Sequence, residues 1–137
     1  MQSSTTSSDP VRVLLVDDHE AMLARAASVL RPSCLVVGAV TSGPAAIEAA
    51  AALRPDVIVL DVSMPGMNGF EVAAKLRCSG SKAAVVFLTV HDEEAFVNAA
   101  LAAGAMGYVV KARLASDLTL AVRDAQAGRP FISRITP

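Results

Sequence analysis

Five short runs of near-continuous valine, leucine and isoleucine, separated by alanine-rich stretches of helical spacing, constrain this chain more than any other feature. The runs are Val11–Val16, Leu35–Val40, Val57–Leu60, Ala83–Leu88 and Met106–Val110. Strands with one wet face alternate apolar and polar residues, whereas continuous runs mark parallel strands covered on both faces. The intervening stretches, at about 19–31, 43–53, 67–78, 92–103 and 115–127, have the length and spacing of crossover helices. Leu118, Val122 and Ala125 fall at i, i+4 and i+7, one apolar face of the last of them. Gly104 and Gly128 follow the last periodic residues of two helices, and Asp92-Glu93-Glu94 puts acids in a first turn, where the helix dipole favours them. Arg54-Pro55-Asp56 and Pro65-Gly66 mark turns.

Five β-α units in succession predict an α/β fold: a doubly wound, five-stranded parallel sheet with five helices, since right-handed crossovers leave few other topologies. The strand order 2-1-3-4-5 suits five strands, and ligands then bind beyond the strand C-termini, at the switch point between strands 1 and 3. Residues 11–128 are expected to form this one domain. The Ser/Thr-rich stretch 1–10 reads as a disordered leader, without the basic and apolar regions of a signal peptide, and 129–137 as a linker or tail.

Composition narrows the classes of function. Twelve Lys+Arg against thirteen Asp+Glu leave a net charge of -1, so bulk electrostatics do not recruit a polyanion. The hydrophobic fraction is 53 %, yet the longest uncharged stretches, Pro32–Ile47 and Ala95–Val110, are broken by Gly and polar residues. Both fall short of the roughly 20 apolar residues of a spanning helix. A soluble, cytoplasmic protein without a membrane role is expected. Cys34 and Cys78, with no CxxC or Cys/His grouping, read as reduced, semi-buried thiols.

Acidic residues fall where the predicted crevice lies. Asp17-Asp18 follows strand 1 and Asp61 follows strand 3. Three converging carboxylates repel, push at least one pKa upward and ask for a cation; oxygen-only donors suit Mg²⁺. Thr89 and Lys111, after strands 4 and 5, face the same rim in a parallel sheet. A carboxylate nucleophile, a divalent metal, a hydroxyl and an ammonium compose a phosphoryl-transfer site. Each residue also has an ordinary reading: Asp18 as a helix N-cap, Asp61 as a turn residue, Thr89 as a plain strand end, Lys111 as a solvated charge.

Asp17-Asp18 after a strand, Asp61-Val-Ser-Met-Pro-Gly-Met-Asn-Gly69, Thr89 and Gly104-Ala-Met-Gly-Tyr108-Val-Val-Lys111 together resemble the receiver domain of bacterial two-component response regulators, from about Val11 to Gly128. Val16-Asp17-Asp18-His19-Glu20, Leu88-Thr89-Val90-His91-Asp92 and Gly128-Arg-Pro-Phe-Ile-Ser133 are similar to the NarL/FixJ/LuxR-type subfamily, which carries a C-terminal helix-turn-helix. The resemblance implies that Asp61 is the phosphoacceptor, taking its phosphoryl group from a sensor histidine kinase. It implies a Mg²⁺ or Mn²⁺ ion held by Asp18 directly, Asp17 mainly through water, Asp61 and the backbone carbonyl of Ser63. Lys111 and Thr89 would bind the phosphoryl oxygens. Thr89 and Tyr108 would form the switch, the aromatic turning inward as Thr89 is drawn to the phosphate; on its own, Tyr108 equally suits a core position.

The expected output is a change in the helix 4–strand 5–helix 5 face, where Phe96, Ala99, Ala100 and Ala103 crowd helix 4. That face either covers the sheet or binds a partner, a homodimer among the options. DNA would be bound only through a C-terminal domain outside this chain, so the role is signalling, with self-catalysed phosphotransfer and autodephosphorylation rather than metabolic catalysis. The alternative is a phosphorylation-independent adaptor on the same fold. An Asp-nucleophile phosphatase would want DxD after strand 1, and a flavodoxin-like carrier a phosphate loop there. The sequence departs from the family at Ala112, where many receivers have Pro, which leaves a cis peptide before it open. Val90 is larger than the usual residue and is expected to narrow access to the site. Ser63 and His91 flank the site at positions that tune dephosphorylation, His91 reading as a solvated loop residue.

Overall fold

In the computed structural model, which describes residues 9–133, strands and helices alternate as the apolar runs predict. The order is β1 (Val11–Val16), α1 (Glu20–Leu30), β2 (Cys34–Val40), α2 (Gly43–Leu53), β3 (Val57–Asp61), α3 (Gly69–Cys78), β4 (Ala84–Thr89), α4 (Glu94–Ala102) and β5 (Gly107–Val110). A single 3₁₀ turn (Lys111–Arg113), α5 (Leu114–Gln126) and β6 (Phe131–Ile132) follow. Residues 1–8 of the expected leader and 134–137 of the expected tail lie outside the described residues.

The sheet has six strands in the order β2-β1-β3-β4-β5-β6, all parallel, so the expected five-stranded sheet is corrected by one edge strand. Within the expected tail, Phe131 and Ile132 pair with Gly107 and Tyr108. Two residues are too short for a periodicity signal. Their hold comes from the amides of Phe131 and Ser133, which donate to the carbonyls of Met106 and Tyr108 at 2.9 and 2.8 Å.

Continuous apolar runs are explained by alternation between two dry faces. Val13, Leu15, Val57, Val59, Leu88 and Val109 pack under α1 and α5; Leu14, Val16, Ile58, Leu60, Phe87 and Tyr108 pack under α2, α3 and α4. Leu118, Val122 and Ala125 are all buried, as the spacing of α5 requires. Truncating a buried leucine such as Leu118 to Ala would cost about 2–5 kcal/mol. Cys34 is buried and Cys78 exposed, both free, so the expected pair of semi-buried thiols divides into one inside and one outside.

α3 begins two residues later than its spacing suggests. The Pro65-Gly66-Met67 turn, with Gly66 at φ +81°, occupies the expected first positions. Asn68 then caps the helix in a reciprocal box, its Oδ1 accepting from the Glu71 amide and Glu71 Oε1 accepting from its own, both at 2.9 Å. Asn68-x-x-Glu71 is a legible signal for that start. The first helical residue, Gly69, lies directly on β3: a Cβ there would sit 2.3 Å from the Asp61 carbonyl oxygen and 2.8 Å from the Val62 Cα. A residue without a side chain is what lets α3 dock against the strand that carries Asp61.

Candidate functional site

A parallel sheet directs every strand C-terminus to one rim. There Asp17 and Asp18 follow β1, Asp61 ends β3, Thr89 ends β4 and Lys111 follows β5. Asp17 and Asp61 are each only 3 % exposed, an unusual burial for carboxylates. The Lys111 ammonium lies between them, 3.0 Å from Asp17 Oδ2 and 3.4 Å from Asp61 Oδ2. Lys111 is therefore no solvated charge: its side chain is 12 % exposed and spans two strands' worth of acid.

One ammonium does not neutralise three carboxylates. The Asp61 carboxyl is pushed above the ordinary range, first by burial and then by the Asp17 charge. Lys111 and the Ser63 amide, which donates to Asp61 Oδ1 at 3.2 Å, pull it back without winning. Two carboxylate oxygens, Asp17 Oδ2 and Asp18 Oδ1, are buried without a hydrogen bond; Lys111 stands near the first as a counter-charge, not in bonding orientation. Buried anionic oxygens without donors are costly unless a cation meets them. Asp17, Asp18, His19 and Asp61 each bring one ligand atom, all within 4.8 Å of one another. The residues present fit a divalent ion.

The N-cap reading of Asp18 fails on geometry. The cap of α1 is His19, whose amide donates to Asp17 Oδ1 at 2.9 Å, so the Asp18 carboxylate faces the cluster instead. Asp61 does make the turn-type bond to the Ser63 amide, and makes it with one oxygen only.

Thr89 is fully buried and pairs in register with Val110, the residue before Lys111. Its Oγ1 accepts from the His91 amide at 3.1 Å. Tyr108 is also fully buried, and its hydroxyl donates to the His91 carbonyl at 2.7 Å. Burial pushes the phenol up to about 12, aided by the nearby Glu93 and Asp92 charges.

His91 is not a free loop residue. Its ring stacks on Phe96 with centroids 4.1 Å apart at 5°, its Nε2 lies 3.0 Å from Ser63 Oγ, and its Nδ1 lies 3.6 Å from Glu93 Oε1. It thereby bridges the loops after β3 and β4 across the rim. A contact 28 residues apart in sequence has no local signal. Val90, expected to narrow access, is 66 % exposed. The Lys111–Ala112 peptide is trans. On α4 the apolar face divides: Val97 and Ala100 are buried, Phe96 meets His91, and Ala99 is exposed.

Such a rim on such a sheet defines a class of signalling domain, and the comparison with known families agrees. The response regulator receiver domain matches residues 13–123, and this chain belongs to that family. The probable transcriptional regulatory protein NarL of Mycobacterium tuberculosis is 38 % identical over 133 residues, which cover 95 % of this chain and 61 % of the relative. This chain thus spans about three-fifths of the length of the curated relative. The signal receiver domain of the M. tuberculosis response regulator NarL superposes with a TM-score of 0.83 at 38 % identity, over 88 % of this chain and 99 % of that one. A LuxR-family two-component response regulator from Aurantimonas sp. SI85-9A1 superposes with a TM-score of 0.86 at 31 % identity, over 91 % of each chain. The fold and its relatives are those of a NarL/LuxR-type receiver domain. Among the described residues no helix is long and apolar enough to cross a membrane.

Proposed function

We propose that this chain is a cytoplasmic phosphorylation switch, with Asp61 as phosphoacceptor. The observation that carries the reading is a buried Asp61 flanked by the Lys111 ammonium at 3.4 Å and clustered with the carboxylates of Asp17 and Asp18, each of which keeps a buried oxygen without a hydrogen bond. In the reaction a carboxylate oxygen of Asp61 attacks the phosphorus of a kinase phosphohistidine. The P–N bond breaks, its electron pair stays on the imidazole nitrogen, and an acyl phosphate remains on Asp61.

Asp17, Asp18, Asp61 and the Ser63 carbonyl would hold Mg²⁺ or Mn²⁺, which when bound would supply positive charge to offset the anionic phosphoryl group. Lys111 exchanges its contact with Asp61 for one with a phosphoryl oxygen, and the Thr89 hydroxyl donates to another. These side chains assemble the site for transfer and later hydrolysis, without turning over a separate substrate.

Phosphorylation brings a group with nearly two negative charges and three acceptor oxygens to a buried rim. Thr89 and Lys111 stand at the entrances to α4 and α5, so drawing them inward biases the α4–β5–α5 face. Inverting a two-state population from 1:99 to 99:1 takes about 5.5 kcal/mol. A few charge-assisted hydrogen bonds of ~1.5–3 kcal/mol each are of the right size. That face then controls a homodimer or an output domain. DNA binding, as the relatives' class suggests, belongs to a C-terminal domain and not to these residues.

The test is intact mass after incubation with Mg²⁺ and acetyl phosphate, with a phosphorylated kinase domain as second donor, for wild type and Asp61→Asn. A Mg²⁺-dependent, alkali-labile phosphoryl adduct on wild type alone supports the reading. Failure with both donors despite cation binding would instead favour the phosphorylation-independent adaptor.

A further inference from the structure

His19 is the one member of the ligand cluster that brings nitrogen. Its Nδ1 lies 3.3 Å from Asp17 Oδ1 and 3.2 Å from Asp18 Oδ1. Although it occupies the N-cap of α1, its ring makes no capping bond, and its backbone is held on both sides. The amide donates to Asp17 Oδ1, and the carbonyl accepts from Met22 and Leu23 at 3.1 Å each. The backbone is thus fixed beside the acids, while the ring, 70 % exposed, reaches them by its own side-chain rotation.

The distances suit a shared ion. Donors around one first-row cation stand about 2.0–2.4 Å from it, so any two lie no more than roughly twice that apart. The ligand atoms of Asp17, Asp18, His19 and Asp61 meet that limit, all within 4.8 Å. The acids keep acceptor capacity for a cation: Asp17 Oδ2, on a side chain 5 % exposed, and Asp18 Oδ1 are buried without a hydrogen bond, the first facing only the Lys111 ammonium at 3.0 Å and the second the His19 ring.

We propose that His19 donates its Nδ1 to the cation held by Asp17, Asp18 and Asp61, so that this pocket selects a nitrogen-accepting transition ion over Mg²⁺. The inference deepens the acidic-pocket reading and rests on it. Mg²⁺ takes oxygen ligands almost exclusively and keeps its waters, whereas imidazole favours first-row transition ions in the Irving–Williams order. Replacing one water by a ring nitrogen therefore raises affinity for Mn²⁺ or Co²⁺ and leaves Mg²⁺ nearly unaffected.

The test uses untagged protein loaded with Mn²⁺ or Co²⁺, compared with Mg²⁺ by calorimetry, in wild type, His19→Ala, His19→Asn, His91→Ala and Asp18→Asn. His19→Asn keeps a good N-cap, which separates loss of a ligand from loss of the helix start. Electron spin-echo spectroscopy of the Mn²⁺ form reads the ligand atoms directly. The expected result is ¹⁴N coupling in wild type and His91→Ala, absent in both His19 variants. Affinity for Mn²⁺ and Co²⁺ should fall by about tenfold or more in those variants, with Mg²⁺ affinity unchanged. Equal selectivity in wild type and the His19 variants, with no nitrogen coupling, overturns the assignment and leaves His19 a neighbouring charge. Cation affinity that is absent from wild type, or indifferent to Asp18→Asn, overturns the acidic-pocket reading itself.

Discussion

The hydroxyl of Tyr108 donates to the carbonyl of His91 across 2.7 Å, joining β5 to the loop after β4. His91 also gives its amide to Thr89 and its ring to Ser63 and Phe96, so one loop residue contacts the switch pair and the rim together. Tyr108 is fully buried, so this bond is made inside the fold rather than at its surface.

Tyr108 is the sole tyrosine and the chain has no tryptophan, so its ionisation is directly readable at 295 nm. Its folded-state pKa is raised to about 12, chiefly by burial. The neutral phenol therefore favours folding fully below the unfolded value near 10, and that contribution is lost as pH rises from about 10 to about 12. Phenolate absorbance should appear only near pH 12 or together with unfolding. Tyr108→Phe should cost about 1 kcal/mol by leaving the His91 carbonyl without this donor.

Neutralising Asp61 should stabilise the metal-free protein. Its carboxyl is raised by burial and by Asp17, so its contribution to folding is fully present below the ordinary carboxylate range and lost as pH rises through the raised value. At neutral pH the charge is a liability. Asp61→Asn in EDTA should melt higher than wild type. Added Mg²⁺ should raise the wild-type melting temperature and narrow the gap; a lower-melting variant in EDTA would contradict the electrostatic account.

Gly69→Ala should impair the site without altering any charge. The added methyl would meet the Asp61 carbonyl oxygen at 2.3 Å and the Val62 Cα at 2.8 Å, both backbone atoms that cannot rotate away. Either α3 lifts or the end of β3 shifts, at about 1–3 kcal/mol. Phosphorylation by acetyl phosphate should slow markedly while circular dichroism stays native.

The last strand should detach when one buried carboxylate is removed. Asp117 on α5 accepts from Ser133 Oγ at 2.8 Å, Arg113 Nε at 2.9 Å and Ser116 Oγ at 3.0 Å, and Ser133 Oγ accepts from the Val110 amide at 3.1 Å. Burial raises the Asp117 carboxyl, but these hydrogen bonds and the Arg113 charge outweigh it, and the net shift is downward. Its stabilisation is present above the ordinary carboxylate range and fades as pH falls through the lowered value. Asp117→Ala should cost about 1–3 kcal/mol, with faster amide exchange at Phe131 and Ser133 than at β1.

Sequence by itself determined the alternation of strands and helices, the parallel sheet, and the placing of Asp17, Asp18, Asp61, Thr89 and Lys111 on one rim. Those features follow from local periodicity and from the rule that parallel strands end on the same side. Tertiary structure alone decided that Lys111 sits between Asp17 and Asp61, that His91 reaches Ser63, that His19 turns toward the acids, and that Phe131–Ile132 adds a sixth strand. Such relationships join residues from different loops and strands, or choose a side chain's direction against its neighbours. Their free energy comes from burial and from pairing polar groups across the fold, and neither quantity exists until the chain has closed on itself.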